Sequence, residues 1–290
     1  MNNSNKVALI TGCSSGFGYL AALKFARRGY RTFASVRDTE SAGSRKLLEM
    51  ASGHQLPLEV LKIDVRDDQS VLAGVSAVLG KSGRIDVLVN NAGFGYLGPV
   101  EDFTIEEVKD QYETNLFGTL RMVKAVVPAM RQQRSGLIIN LSSISGLIPF
   151  PLFGIYSSSK FAVESLSESL RFELSPFGIK VVLVEPGSFL TNFALNRKHP
   201  LAFGKVESPY LRLTDSFFRR YQKAHDQAKA GLLSKIINPQ KVADLFYAIA
   251  QKKNPKMRYL VGSDTHLYCF LRRVVPFSIW EWVLRKVYHW

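Results

Sequence analysis

Apolar residues along this chain form short dense runs, separated by longer stretches in which they recur every three or four positions. The first run lies within Lys6-Val-Ala-Leu-Ile-Thr11 and is rich in β-branched residues. A run this short and continuous reads as a strand buried on both faces. Similar runs recur at 31–36, 58–63, 86–89, 137–142, 179–184 and 258–261. Between them 19–29, roughly 40–52, 68–81, 104–133, 155–176 and 239–252 carry the helical spacing. Strands alternating with helices predict an α/β fold, a doubly wound parallel sheet with helices on both faces. The rhythm breaks only at 188–236, a long connection of mixed aromatic and basic residues. Connections that long in compact domains usually carry function.

The turn after the first strand is Gly12-Cys-Ser-Ser-Gly16-Phe-Gly18. Glycines there let the backbone approach a pyrophosphate, whose charge a helix N-terminus favours. The spacing is Gly-x3-Gly-x-Gly rather than the commoner Gly-x-Gly-x-x-Gly, so the loop alone names no cofactor. Further on, Tyr156 and Lys160 stand at i and i+4 of a predicted helix. That spacing places both on one face, about 6 Å apart along the axis. An ammonium beside a phenol favours phenolate, which predicts a Tyr156 pKa below the usual ~10. Such a group suits the interconversion of an alcohol and a carbonyl.

Thr11-Gly-Cys-Ser-Ser-Gly-Phe-Gly18, Asn90-Asn-Ala-Gly93, Asn115, Ser143, Tyr156-x3-Lys160 and Pro186-Gly187 follow one another in a characteristic order and spacing. From about residue 5 to 262 the chain resembles the short-chain dehydrogenase/reductase family. Val36-Arg-Asp38, Leu97-Gly-Pro-Val-Glu101, the Ser-Lys-Phe-Ala core of 156–164 and Asn238-Pro-Gln are similar to the hydroxysteroid and retinol dehydrogenase branch. The resemblance implies that Gly12, Ser14, Ser15, Gly16, Phe17 and Gly18 cradle the cofactor phosphates. It implies that Asp64 and Val65 meet the adenine, though Asp64 also reads as an N-cap for the next helix. Asn91, Ala92 and Gly93 would brace the sheet and border the cofactor; Pro186, Gly187 and Thr191 would fix the carboxamide. Asn115 is a poor helix former inside a predicted helix, and in relatives it accompanies a helix distortion and a proton relay. Ser143, at the family spacing from Tyr156, would orient the substrate oxygen, and Ser142 and Ser145 would be structural. Lys160 would hold the nicotinamide ribose and tune Tyr156. His225 roughly matches a substrate-contacting histidine. No metal site is among the candidates.

Cofactor choice falls at the end of the second strand. Val36 occupies the position where NAD-preferring relatives carry Asp, and Arg37 follows. A guanidinium there would pair with a 2′-phosphate, which favours NADP(H). Asp38, next along, keeps NAD(H) as the second choice. Phe94, Tyr96, Leu97, Phe150 within Leu147–Phe153, Phe189 and Phe193 supply rings and aliphatics for a substrate pocket. They predict a bulky apolar alcohol or carbonyl, such as a steroid, retinoid or other lipid, with part of the set in the core. A homodimer is expected. A cofactor-sensing protein without turnover is the rival reading, and the intact Asn115, Ser143, Tyr156 and Lys160 set counts against it.

Composition adds location and one unexplained feature. Two cysteines cannot build a disulfide framework, and residues 1–5 are polar. A reducing, cytoplasmic setting without a secretory signal is expected. Residues 1–194 carry 20 Lys/Arg against 18 Asp/Glu, whereas 195–290 carry 18 against 6. The expected division is therefore a catalytic domain over 1–262, with 188–236 covering the substrate, and a basic aromatic extension over 263–290. Residues 266–290 interleave Trp, Phe and Val with Arg and Lys. That suits peripheral contact with an anionic membrane; packing on the domain or a dimer partner is the alternative. Pro276 should split the extension into two helices. No nucleic-acid motif accompanies the charge, so no nucleic acid partner is expected.

Overall fold

Seven strands, β1 (Val7–Ile10), β2 (Arg31–Val36), β3 (Leu58–Lys62), β4 (Val87–Asn90), β5 (Gly136–Leu141), β6 (Ile179–Pro186) and β7 (Arg258–Val261), form one parallel sheet. Their order is β3-β2-β1-β4-β5-β6-β7. The computed structural model describes residues 5–189, 193–205, 208–230 and 238–288. Chain direction across the sheet reverses between β1 and β4, the switch point outside whose strand ends ligands bind in open α/β sheets.

The central strands are mostly apolar because both faces are covered, while the edge strands β3 and β7 are only half-buried and carry Glu59, Lys62 and Arg258. Ala8 and Ile10 of β1 point into a core with Phe25 of α1 (Gly16–Arg27), Leu47 of α2 (Ala42–Gly53) and Phe246 of α9 (Gln240–Ala250). Val7 and Leu9 point the other way, toward Val75 of α3 (Asp68–Ser82), Met122 of α5 (Gly118–Gln132) and Leu170 of α6 (Gly154–Leu174). This is a single-domain doubly wound fold, as the alternation of runs predicts.

Two stretches differ from the periodicity. The predicted helix over 104–133 is interrupted: α4 (Ile105–Tyr112) passes into a π-helical turn (Glu113–Phe117) before α5. Thr104 and Glu107 close the start of α4 as a reciprocal capping box. The connection 188–236 is not structureless, because it contains α7 (Phe193–Asn196) and the 20-residue α8 (Leu211–Ala230). Phe217 and Tyr221 of α8 face the fold one turn apart, while Arg212, Arg219 and Arg220 dilute the apolar pattern. The extension is two helices, α10 (Ser263–Val274) and α11 (Phe277–Tyr288), broken at Pro276. Among the described residues no helix is long and apolar enough to cross a membrane.

Candidate active site

A cleft of about 770 Å³ opens at the carboxyl ends of β1, β4, β5 and β6. One wall is the glycine loop. Gly12 has φ of +71°, and a Cβ on it would lie 2.8 Å from Ala92 Cα. A Cβ on Gly18, just beneath the cleft, would lie 2.5 Å from the Gly12 carbonyl oxygen. Only glycine lets the loop close this tightly. Asn91 Nδ2 donates to the Thr11 and Gly12 carbonyls at 2.8 and 3.1 Å. Thr11 Oγ1 in turn accepts from the Asn91 and Ala92 amides, both at 3.0 Å. Thr11 was not among the sequence candidates, although a hydroxyl closing an apolar strand is a visible signal. Ser14, Ser15, Gly16 and Phe17 line the cleft. Ser15 is the N-cap of α1 but makes no side-chain cap bond, and the first turn carries no acidic residue. The unmet N–H groups of that turn are available to an anion.

The rim beyond the loop is basic. Val36 and Arg37 line it, and Arg37 is exposed with no ion pair among the described residues. Asp38 is not its partner: the carboxylate accepts from the Glu40 amide at 2.9 Å, shaping the turn into α2. Val65 and Arg66 also line the cleft, and Asp64 does not. The Asp64 carboxylate is gripped by Arg66, with contacts down to 2.6 Å, and that hydrogen bonding holds it below the usual carboxylate range. The N-cap of α3 is Asp67, which accepts from the Gln69 and Ser70 amides, so Asp64 does not cap that helix.

The catalytic candidates meet where α6 crosses the end of β5. Tyr156 and Lys160 are both buried, with Lys160 Nζ 5.9 Å from the Tyr156 ring centre. Nζ donates to the Leu141 carbonyl at 2.8 Å. A polar chain sets α6 on the sheet: Asn90 Nδ2 donates to Asn140 at 2.9 Å, and Asn140 to Ser167 at 2.8 Å. Ser143 Oγ accepts from the Ser145 amide at 3.1 Å, so its hydroxyl hydrogen remains to donate. Asn115 lies in the π turn. Its Oδ1 accepts from the Phe94 amide at 3.2 Å, while Nδ2 donates to the Phe94 carbonyl and to Ser159 Oγ. A Cβ on Gly93 would sit 3.0 Å from Asn115 Oδ1 and 3.8 Å from Lys160 Nζ, so all three share one corner.

Electrostatics here depart from the expected lowering of the phenol. Burial pushes Tyr156 up to about 12, against a hydrogen bond with Ser143 that lowers it. Burial likewise pulls Lys160 down to about 8, against the nearby Glu164 carboxylate. Desolvation disfavours the charged form of each and is the largest influence on both. Behind Lys160 lies a cluster the sequence reading missed. Arg258 of β7 bonds Glu164 and Glu168 of α6 and, at 2.8 Å, the fully buried Glu185 of β6. Burial, with help from Glu164, raises Glu185 to about 7. The available signal was a carboxylate closing the apolar run 181–184.

The opposite wall is aromatic. Phe94, Phe150, Phe153, Phe193, Phe217 and Tyr221 line it. Phe193 lies 5.3 Å from the Tyr156 ring. Phe189 instead packs edge-on against Phe17 at 5.7 Å, on the glycine-loop side. Tyr96 and Leu97 are buried in the fold rather than in the wall, Tyr96 donating to Asp110 at 3.3 Å. Pro186 and Gly187 reach the cleft. Thr191 and the side chain of His225 lie outside the described residues. The extension contributes two residues that no motif announced. Asp264 accepts from the Ser188 amide at 2.9 Å, bracing the Gly187 turn, and Tyr268 lines the cleft beside Phe150. Among the described residues no group of His, Cys, Asp and Glu could hold a metal ion.

Known proteins are similar to this chain over most of its length. A 3-ketodihydrosphingosine reductase of Bacteroides thetaiotaomicron is 37% identical over 98% of both chains. Estradiol 17-beta-dehydrogenase 1 of Rattus norvegicus is 38% identical over 87% of this chain and 72% of its own. A short-chain dehydrogenase structure from Streptomyces avermitilis superposes with a TM-score of 0.76, at 32% identity over 97% and 98% of the two chains. Two further structures, each 26% identical, carry different cofactors. One from Burkholderia phymatum is in complex with NAD (TM-score 0.79, 94% of both chains), and a metagenomic oxidoreductase is in complex with NADP (0.69, 89% and 97%). The family described as short chain dehydrogenase matches residues 6–201, well over half the sequence. The chain is an oxidoreductase of the short-chain dehydrogenase/reductase family.

Proposed function

We propose that this enzyme uses NADP(H) to interconvert a bulky hydrophobic alcohol and its ketone or aldehyde. The observation that carries the proposal is the position of Tyr156. It is buried with Ser143 and Lys160 where a glycine-built polar half and an aromatic half of one cleft meet. The polar half fits a dinucleotide, because Gly12 and Gly18 leave no room for a side chain, bring backbone to the cleft and leave the α1 N-terminus uncapped. A bound nicotinamide supplies or takes up the hydride. Tyr156 holds the proton at its phenol oxygen and passes it to the substrate oxygen as charge develops there, the work of a general acid. Ser143 donates to the same oxygen and orients it. Lys160 would hold the nicotinamide ribose hydroxyls, and Asn115 would hold a water that passes protons to Lys160.

Arg37, exposed at the rim and in no salt bridge among the described residues, favours a 2′-phosphate and hence NADP(H), with the Asp64 carboxylate in range of its charge. The NAD-bound relative makes NAD(H) the second reading. The aromatic wall and the named relatives point to a lipid-like ketone first and a steroid second. The exposed Phe161 and Phe172, about three turns apart on α6, offer one stripe for a homodimer contact. Free Cys13 and Cys269 fit the cytoplasm as the location. Turnover of long-chain ketone, steroid and retinoid carbonyl panels, scored with NADPH and NADH, tests all of this. A faster rate with NADPH on a bulky apolar carbonyl is expected. No turnover with any of them would leave the sensor reading standing.

A further inference from the structure

The helices α10 and α11 carry more apolar surface than the fold uses. Their inner sides are anchored: Thr265 is fully buried and donates to the Val261 carbonyl at 2.9 Å. Tyr268 packs edge-on against Phe150 and Trp280, and Trp280 lies against Ile144 and Ile148 with Leu271, Val275 and Leu284 around it. At the far end Arg220 donates to the Val287 carbonyl at 2.8 Å. The outer sides are apolar as well. Leu267, Phe270 and Val274, spaced i, i+3 and i+7, make one exposed stripe on α10. Ile279, Val283 and Val287, spaced i, i+4 and i+8, make another on α11, with exposed Trp282 beside it. Singly exposed apolar residues are ordinary, but stripes of this kind mark a contact surface.

We propose that the α10–α11 pair seats this protein on an anionic lipid surface. Charge selects that occupant. Arg273 and Lys286 flank the stripes, Arg272 and Arg285 border the adjoining groove with Trp280 and Leu284, and the only acidic residues of the pair are Asp264 and Glu281. Asp264 is turned to Ser188, and Glu281 is held by Arg285 at 2.8 Å. A symmetric contact with a second copy through the stripes would bring the flanking cations Arg273 and Lys286 of the two copies together without acidic partners. Anionic headgroups supply the opposite charge, and Trp and Phe settle at the headgroup boundary. The surface also adjoins the cleft, since Phe150 lines both the cleft and a groove bordered by Pro149, Pro151, Trp280 and Leu284. Resting on the function proposed above, this would let an apolar substrate leave the bilayer beside the cleft mouth.

Sedimentation of the full chain with vesicles tests the docking without any substrate, so its outcome is independent of activity. Vesicles of phosphatidylcholine with phosphatidylserine should bind the protein, and phosphatidylcholine alone should bind it far less. Bulk charge of +14 attracts any anionic surface, so the variants decide. Phe270→Ser with Trp282→Ser should weaken partition roughly tenfold or more, with the thermal midpoint unchanged. Arg273→Gln with Lys286→Gln should weaken it about thirtyfold. Arg45→Gln with Lys46→Gln, on α2 at the other edge of the sheet, should do much less. The proposal is overturned if the parent ignores anionic vesicles, or if the apolar variant binds them as well as the parent does. It is equally overturned if that variant turns a dimer into a monomer while vesicle binding is unchanged, because a second copy then covers the stripes.

Discussion

The wall of the cleft around the glycine loop and the wall facing it are held by different kinds of contact. Around the loop, backbone meets backbone: Gly18 over the Gly12 carbonyl, Gly12 over Ala92, and Asn91 and Thr11 bridging β1 to β4. Facing it, ring meets ring. Phe193 lies on Tyr156, Phe153 on Phe217 and Tyr268 on Phe150, the partners drawn from four separate segments. Backbone packing tolerates no added atom, so the loop wall demands fixed residues at fixed spacing. Ring packing accepts any well-filled set, so the facing wall is free to follow the substrate. One fold thus holds a common cofactor firmly and leaves specificity to a replaceable surface.

The sharpest way to break this division is at Tyr156, which belongs to both walls. Tyr156→Phe keeps the ring contacts with Phe153 and Phe193 and removes only the hydroxyl. Turnover should fall roughly 10²–10⁴-fold, the range of a general acid, while cofactor affinity and the thermal midpoint stay near the parent's. Near-normal turnover would mean that the proton comes from elsewhere.

A second test concerns the ionic cluster that supports α6 from behind. Burial, with the neighbouring Glu164 carboxylate, pushes Glu185 up to about 7 from the ordinary 4.5, so the folded state holds the extra proton. Stability from this group is therefore complete below about pH 4.5 and is lost as pH rises through about 7. Glu185→Gln keeps the shape and abolishes the titration. The fall in urea-derived stability between pH 5 and pH 8 should shrink by roughly 3 kcal/mol, at about 1.4 kcal/mol per pKa unit. Arg258 retains Glu164 and Glu168 in the variant. An unchanged pH slope would show that Glu185 stays ionised against Arg258.

Which parts of this arrangement could be read from the sequence follows from the same contrast. The sheet was legible because strands covered on both faces must be apolar throughout, as Leu88-Val89 and Val181–Val184 are. The loop, Asn91–Gly93 and the Tyr156–Lys160 pair were legible because sterics and helix geometry fix their spacing. The π turn at Asn115 was signalled only by a poor helix former. Helix α8 was read as loop because its basic residues interrupt the apolar stripe. Asp264 and Tyr268 were not legible at all, since a chain end reaching back to the cleft leaves no local pattern. The fate of Tyr156 was misread for a related reason: the sequence shows the neighbouring charge of Lys160 but not the depth of burial, and burial wins.

At the cofactor rim the comparison can be sharpened with one residue. Arg37 sits on the backbone-built wall but acts by charge, with Asp38 turned away from it. Arg37→Ala should weaken NADPH about ten- to a hundredfold, the worth of a charge-assisted bond to phosphate, and NADH hardly at all. Equal losses for the two cofactors, measured by fluorescence titration, would remove Arg37 from the 2′-phosphate.

The smallest expected effect lies on α11, where two tryptophans stand two residues apart. Trp280 is 5% exposed and packs on Ile144 and Ile148, whereas Trp282 is 60% exposed. They share chemistry, helix and sequence neighbourhood, and differ only in which side of the helix they occupy. Burial, not residue type, sets the stability a side chain supplies. Trp282→Ala should therefore leave unfolding free energy within about 0.5 kcal/mol of the parent, as surface substitutions do. Trp280→Ala opens a cavity beside the 144–148 turn that carries Ser143 toward the cleft, and should destabilise clearly. If chemical denaturation finds the two variants equally damaged, Trp282 is covered in the folded protein, and the outer stripe of α11 belongs to the core rather than to a contact surface.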